Sequence, residues 1–185
     1  MEHKICGWVK QSDSQYVDYH NNEWGKAIHD DDELFELFSL ETQSSGLSWL
    51  TVLKKRDGYR EVFENFSLEA VASYTQEDVT RIFESGLVIK SRPKIEAIIN
   101  NAKLFLEIKK EFGSLDNYFW SKVNHKTIIN DVIDYKMACT TSEISDELAK
   151  DLKKRGFKFV GSVTIYSFMQ ACGMINDHEN GCWCK

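Results

Sequence analysis

The chain has 185 residues, enough to bury a substantial apolar interior in one domain, so disulfides are not required to hold the fold. Residues 1–4 lead into a polar stretch without the apolar run of a secretion signal or membrane span, so we expect a cytoplasmic protein with no membrane contact. The net charge of −6 argues against broad attraction to nucleic acid, because neutralising phosphates normally requires a basic surface.

The first clear helix is predicted to begin near residue 30. Leu34, Leu37 and Phe38 share one stripe of a 3.6-residue period, and the three aspartates at 30–32 suit a helix N-terminus. Glu41 continues the same stripe. A carboxylate on an apolar face must be hydrogen-bonded or functional, because burying it unpaired is costly. Exposure at the helix end, or pairing with a buried Arg or Tyr, would also explain it.

Further helices are predicted at about 67–73, 76–84, 115–123 and 142–155. The clearest amphipathic helix has Pro93 near its start and Gly113 beyond its end, and its apolar positions are Ile95, Ile98, Ile99, Ala102, Phe105 and Leu106. Residues 163–172 are apolar nearly all round, which predicts a central, buried helix. Few segments alternate with a period of two, so the predicted fold class is all-α.

A turn bounded by Gly156 and Gly161 joins the last two predicted helices, over about 145–172. This pattern is typical of a helix-hairpin-helix, in which glycines let the turn approach a phosphate and the N–H groups at the second helix's start attract it. Spacing alone also fits a plain helical hairpin with a glycine cap. The flanking Lys153, Lys154, Arg155 and Lys158 favour DNA.

Basic residues are clustered at 54–56, 90–94 and 153–158, although the whole chain is acidic. A local positive face can therefore coexist with an acidic remainder. Ordinary solvated helix ends are an equally good interpretation of the same clusters.

The five cysteines are an odd number in a chain with no secretion signal, which favours reduced thiols or metal ligation over disulfides. Cys6 and His20 near one end, with His178 and Cys182 near the other, could form a closed tetrahedral zinc site that ties the termini together. Reduced cysteines and surface histidines are the alternative, and Cys184 competes with Cys182. We interpret Cys139 and Cys172 as small apolar residues, with Cys172 in the core.

Aromatic residues are concentrated near the N-terminus and just after Glu41: Trp8, Tyr16, Tyr19, Trp24 and Trp49. Such residues usually belong to a core. Together with one carboxylate, however, they would suit a flat, cationic, hydrogen-bond-donating ligand such as an alkylated purine.

As an ordered set, these residues resemble the DNA-3-methyladenine glycosylase I family nearly from end to end. The resemblance rests on the following stretches: Cys6-Gly7-Trp8, Tyr16 with residues 19–25, Gly46-Leu47-Ser48-Trp49 through 54–56, residues 153–161, residues 167–173, and Asn176-Asp177-His178. Residues 108–145 match least well. The resemblance implies a helix-hairpin-helix DNA glycosylase fold in which residues 1–185 act as a single unit and a monomer.

The family's site residues fall on positions that are present here. The resemblance implies that Cys6, His20, His178 and Cys182 bind a structural zinc ion. It implies that Trp49 and Tyr19 stack on a flipped base, that Glu41 accepts its hydrogen bonds, and that Trp8, Tyr16 and Trp24 complete the wall. Gly46 and Leu47 would fill the gap in the duplex, while Gly156, Gly161, Lys153 and Lys158 would bind its backbone.

The implied reaction is removal of 3-methyladenine from alkylated duplex DNA by hydrolysis of the N-glycosidic bond, releasing the free base without strand cleavage. Glu41 is the leading catalytic candidate and Asp177 is its rival, although an acid beside His178 could equally support that histidine. Two other classes remain open. One is a non-catalytic DNA-binding module that a structural zinc ion stabilises. The other is a zinc hydrolase that uses His20, His178 and Asp177.

Overall fold

The structure is a computed structural model that describes residues 4–185, so the polar opening residues 1–3 lie outside it. Ten α-helices occupy most of this range: α1 Ser14–Asn22, α2 Asp31–Ser44, α3 Trp49–Leu53, α4 Arg56–Val62, α5 Leu68–Ala72, α6 Gln76–Ser85, α7 Arg92–Phe112, α8 Leu115–Trp120, α9 Glu143–Arg155 and α10 Ser162–Ala171. Short 3-10 helices lie at Glu64–Phe66, Ser121–Val123 and Tyr135–Met137. Across residues 4–185, no helix has the length and apolar character that a bilayer crossing requires.

Helix α2 is the centre of the fold. It begins as predicted, with the Asp30 side chain accepting from the backbone N–H groups of Asp32 and Glu33. Every residue from Leu34 to Gln43 is buried, because α3, α7, α8 and α10 all pack against it. More of α2 is therefore buried than the predicted apolar stripe indicates. Glu41 lies inside the protein.

Helix α7 is the longest, and its bounds agree with the predicted amphipathic pattern. Pro93 lies in its first turn, Gly113 caps its C-terminus, and its buried face packs on α5, α6 and α8. Edge-to-face contacts between phenylalanines join α7 to α2 and α10, with Phe38 in contact with both Phe105 and Phe168. These contacts make one continuous core beneath α2.

Helix α10 corrects the prediction of a helix buried all round. Ile165, Tyr166, Phe168 and Met169 are buried, but Val163 is 55% exposed. The remaining face carries Ser162, Thr164, Ser167 and Gln170, which are half-buried. This face borders a cavity, so it needs polar and partly exposed side chains.

The all-α prediction omits a small parallel sheet of two strands, β1 Ile128–Ile129 and β2 Ile175–Asn176. Two residues per strand are too few to give a recognisable alternation. Ile128 pairs with Ile175 and Ile129 with Asn176, so the segment after α8 lies beside the segment after α10. The pairing positions Asp177 and His178 at the edge of the core.

Three short helices, α1, α3 and α4, were not predicted. Helices this short depend on tertiary packing and local caps more than on periodicity. Asp13 caps α1 by accepting from Tyr16, and Ser48 caps α3 by accepting from Thr51. These caps set the ends of the elements that carry the aromatic residues.

Candidate active site and metal cluster

A cavity of about 620 Å³ opens between the N-terminal segment, the end of α2 and the polar face of α10. The structure brings all six predicted base-binding residues to this cavity, together with Gly46, Leu47 and Asp177. Its wall comprises Trp8, Tyr16, Tyr19, Trp24, Glu41, Ser44, Ser45, Gly46, Leu47, Trp49, Tyr135, Ala138, Cys139, Thr140, Val163, Thr164, Tyr166, Ser167, Gln170 and Asp177. One carboxyl, Glu41, thus lies among aromatic rings, and the other, Asp177, lies near the polar side.

The rings hold each other in fixed positions. Trp8 makes edge-to-face contacts with Tyr16 and Trp24, at centroid distances of 5.2 Å and 4.9 Å. Tyr19 and Trp49 are tilted against each other at 5.3 Å. The indole N–H groups of Trp8 and Trp49 are buried and donate no hydrogen bond within residues 4–185. A wall of this kind offers flat apolar surfaces to a planar ligand.

Glu41 is 6% exposed and forms no ion pair among the described residues. Its only side-chain partner there is the Ser44 hydroxyl, which donates to Oε2 at 3.4 Å. Burial raises the pKa of Glu41 to about 8, so this carboxyl is mostly neutral at neutral pH. The two structural explanations of Glu41, exposure at the helix end and pairing with a buried Arg or Tyr, both fail. Glu41 is not exposed, and no buried Arg or Tyr is its hydrogen-bond partner.

Asp177 is also buried, but its surroundings are polar. It accepts hydrogen bonds from Asn130 Nδ2 at 2.7 Å, Tyr166 Oη at 2.8 Å and Gln170 Nε2 at 2.7 Å. Two of these donors, Tyr166 and Gln170, also line the cavity. They hold the carboxylate in one orientation, and none of its hydrogen bonds goes to His178.

Four buried donors from the two ends of the chain converge beside the cavity: Cys6, His20, His178 and Cys182. Their ligand atoms all lie within 4.8 Å of one another. His178 Nδ1 lies 3.4 Å from Cys6 Sγ and 3.6 Å from Cys182 Sγ, and His20 Nε2 lies 3.5 Å from Cys182 Sγ. A tetrahedral zinc ion with ordinary Zn–S and Zn–N bonds needs sulfur–nitrogen separations of about 3.6 Å. The cluster therefore has the size of a four-donor zinc site.

The hydrogen bonds around the two histidines orient one nitrogen of each ring toward the cluster. His20 Nδ1 donates to Asn21 Oδ1 at 2.7 Å, so Nε2 faces the cluster with a lone pair. His178 Nε2 donates to the Trp24 carbonyl at 3.1 Å, so Nδ1 faces the cluster. Burial lowers the pKa of His20, and it lowers the pKa of His178 to about 4, which keeps both imidazoles neutral as a metal requires.

The geometry of the cluster also distinguishes between the sets of metal ligands that the sequence left open. Cys184 lies outside the cluster, and its N–H donates to Cys182 Sγ at 3.4 Å. Asp177 is not among the clustered donors either. Four protein donors would fill a tetrahedral site, so the cluster is closed, unlike the open site of a zinc hydrolase.

The predicted hairpin is formed by α9, the turn from Gly156 to Gly161, and α10. Gly156 adopts a left-handed φ of 98° and caps α9, which is reason enough for a glycine. Gly161 has a φ of −71°, and a Cβ added there would meet nothing within 4 Å. Lys153 and Lys158 are exposed and form no ion pair within residues 4–185. These features leave the turn accessible to an anion.

Most of the other basic side chains in the predicted clusters form contacts within the protein. Arg155 pairs with Glu111 and Asp151. Arg56 is half-buried between Glu23 and Glu36.

Two lysines of the other basic clusters are likewise engaged. Lys54 pairs with Asp13, at 2.7 Å. Lys94 is buried against backbone carbonyls. These members of the clusters at 54–56 and 90–94 therefore contribute less free charge to a local positive face.

Residues 135–140 form a cavity wall that the sequence analysis missed. Cys139 was interpreted as a small apolar residue, but it is exposed on this wall, whereas Cys172 is fully buried as expected. The Asp134 side chain accepts from Lys136 N, and Glu179 Oε1 accepts from Tyr135 N at 2.9 Å. The aspartate turn was the one local signal that could have revealed this segment.

Comparison with known proteins agrees with this geometry. A sequence model described as methyladenine glycosylase matches residues 8–185. The DNA-3-methyladenine glycosylase of Haemophilus influenzae is 47% identical over 180 residues, covering 97% of each chain. A crystal structure of 3-methyladenine DNA glycosylase I superposes with a TM-score of 0.94 at 46% identity, covering 98% of this chain and 99% of the other. A variant of 3-methyladenine DNA glycosylase I in complex with 3-methyladenine superposes with a TM-score of 0.91 at 38% identity, covering 95% and 94%.

Proposed function

The chain belongs to the methyladenine glycosylase family, and we propose that it flips 3-methyladenine out of alkylated duplex DNA into the cavity beside Glu41. As a member of that family it is a DNA glycosylase that acts on 3-methyladenine, and hence a hydrolase of an N-glycosidic bond. We further propose that residues 1–185 act as one unit and as a monomer, that the free base is the product, and that the strand stays intact.

The observation that carries the proposal is the buried carboxyl of Glu41, which has no cationic partner among residues 4–185 and lies on a ring-lined cavity. An adenine methylated at N3 is cationic while it is attached to DNA. Its charge would favour the ionised form of Glu41, and its N–H edge would donate to the carboxylate. Trp49 and Tyr19 would stack on the base, while Trp8, Tyr16 and Trp24 would enclose it.

Catalysis in this proposal needs little acid chemistry. The positive charge already weakens the bond to the sugar, so the leaving base need not be protonated. Glu41 would bind the base as it departs, and water would attack the oxocarbenium-like sugar. Asp177 is the second candidate, because its carboxylate lines the cavity and is held in place by three side-chain donors. Among the described residues the cavity wall includes no lysine, so the proposal contains no Schiff base and leaves the strand uncut.

The DNA surface in this proposal surrounds the cavity mouth. Leu47 is 43% exposed at the tip of the turn after α2, where Gly46 has a left-handed φ of 76°. These two residues would fill the gap that the flipped base leaves. Gly156, Gly161, Lys153 and Lys158 would bind the backbone, through N–H groups at the start of α10 and through two free ammonium groups.

We propose that the cluster of Cys6, His20, His178 and Cys182 binds a structural zinc ion, which would stabilise the contact between the two ends of the chain. Cys6 precedes Trp8, and His178 follows Asp177, so the cluster lies next to two cavity residues in sequence. Zinc would therefore support the cavity without taking part in the reaction.

The decisive experiment measures free 3-methyladenine released from an alkylated duplex under single-turnover conditions. Wild type should release the base and leave an alkali-sensitive, uncut strand. Glu41→Gln should be slower by roughly tenfold to hundredfold, the range expected for a lost hydrogen bond to a charged group. Glu84→Gln is the matched control, since Glu84 is exposed on α6. Asp177→Asn is measured in parallel, and full activity of the Glu41 variant together with loss in the Asp177 variant would transfer the leading role to Asp177.

A further inference from the structure

The C-terminus of α2 carries Glu41 and leads into the turn that holds Leu47, so its hydrogen bonds affect both. The last carbonyls of a helix have no partner within the helix. Here the carbonyl of Glu41 accepts from Ser44 Oγ at 2.8 Å, that of Thr42 accepts from Ser45 N at 3.4 Å, and that of Ser44 accepts from Leu47 N at 2.7 Å. All three donors are local, so none of them fixes the turn to the rest of the protein.

Lys94, in the first turn of α7, connects this turn to the rest of the protein. Its ammonium donates to the carbonyls of Gln43 and Ser45, each at 2.7 Å, and the Gln43 side chain donates back to the Lys94 carbonyl at 3.0 Å. Lys94 is buried and forms no ion pair within residues 4–185. Burial lowers the pKa of Lys94, which shows that holding this charge inside the protein has a cost.

Within the described part of the chain, the bond from Lys94 to Ser45 is the only hydrogen bond between residues 45–47 and an element other than α2. The turn otherwise projects outward, since Ser45, Gly46 and Leu47 are exposed and a Cβ at Gly46 would meet nothing within 4 Å. We therefore expect the hydrogen bond from Lys94 to set the orientation of the turn at residues 45–47.

We propose that Lys94 is a positioning residue that aims the Gly46-Leu47 turn at the DNA, through its contacts with the carbonyls of Gln43 and Ser45. The inference rests on the proposed function, in which Leu47 fills the gap left by the flipped base. Lys94 touches neither the base nor the reacting bond. Its loss should therefore impair extrusion of the base from a duplex while leaving the cavity able to bind free 3-methyladenine.

The test uses Lys94→Met, which keeps the length of the side chain and removes the donors. Lys103→Met is the matched control, because Lys103 is exposed on the same helix. Single-turnover excision from an alkylated duplex should slow by about tenfold to hundredfold, as expected for a misplaced contact group, and the Kd for free 3-methyladenine should stay within about twofold of wild type. Amide hydrogen exchange at residues 45–47 should accelerate without a comparable change in α7.

A double-mutant cycle with Leu47→Ala separates positioning from general damage. If Lys94 acts through Leu47, Lys94→Met should slow excision by no more than about twofold in the Leu47→Ala background. Equal losses of excision and free-base affinity, full additivity with Leu47→Ala, or unchanged exchange at residues 45–47 would each overturn the proposal.

Separate controls distinguish a folding defect of the Lys94 variants from a failure of the proposed function. If Lys94→Met does not fold, Lys94→Gln keeps one donor and is measured instead; failure of both to fold overturns the proposal, because Lys94 would then serve general stability. If wild type releases no 3-methyladenine, the proposed function fails, while the exchange measurement still decides whether Lys94 anchors the turn.

Discussion

Glu41→Gln should stabilise the protein at alkaline pH, because it removes a carboxyl that is costly to ionise inside the cavity. Burial raises the pKa of Glu41 from 4.5 to about 8. The folded protein thus holds this proton more tightly than the unfolded chain does. The stability that the proton contributes is fully present below the unfolded pKa and is lost as pH rises through the folded pKa. The difference between the two pKa values corresponds to about 5 kcal/mol, of which about 4 kcal/mol is lost between about pH 5 and pH 9.

The assay is thermal or urea unfolding of wild type and Glu41→Gln at about pH 5 and pH 9. For a chain of this length, about 4 kcal/mol corresponds to a difference of roughly 10 °C in the change of Tm between the two proteins. Other titrating groups are shared by both proteins, so their effects cancel in the comparison. Glu84→Gln should follow wild type, because Glu84 is exposed. If Glu41→Gln and wild type lose the same stability over this range, the reasoning that Glu41 is kept neutral by burial is refuted.

Three further outcomes are expected. Trp49→Ala should weaken binding of free 3-methyladenine by about 1–3 kcal/mol in calorimetry, because one stacking surface is lost, and unchanged affinity would remove Trp49 from the base site. Cys6→Ser should reduce the zinc found per chain by elemental analysis and lower the Tm; a stoichiometric ion held as tightly as in wild type would contradict the four-donor site. Lys153→Met combined with Lys158→Met should reduce the salt dependence of DNA affinity, by about one in the slope of log K against log salt for each lysine, and an unchanged slope would show that neither contacts phosphate.

The helices with strong local signals were predictable. Helix α2 begins at the predicted aspartates, and α7 is bounded by Pro93 and Gly113, because a cap or a proline acts within one turn of its own position. The two-residue strands and the short helices α1, α3 and α4 lack such redundancy. Ile128 pairs with Ile175 only because the packing of the whole chain brings these segments together.

The candidate site was predictable where a residue type restricts its own environment. The four clustered thiol and imidazole groups and the aromatic residues around Glu41 lie together as expected, since thiols, imidazoles and large rings have few favourable partners. Basic residues are different, because the same lysine can face solvent or an internal acceptor. Arg155 pairs with Glu111, and Lys94 bonds to Gln43, across separations in sequence that no local pattern records.

The acidic net charge bears on how the proposed enzyme would select its substrate. With the chain at −6 and several basic side chains paired internally, nonspecific attraction to DNA should be weak, so selectivity must come largely from the cavity. Ionising Glu41 without a cation beside it costs about 1.4 kcal/mol at pH 7, given a pKa of about 8. A unit positive charge about 4 Å away would return about 4 kcal/mol at an effective dielectric constant of about 20, whereas neutral adenine would return little of it. The same carboxyl that is costly to ionise alone would therefore favour the alkylated base over the abundant undamaged one, because only the alkylated base brings its own counter-charge.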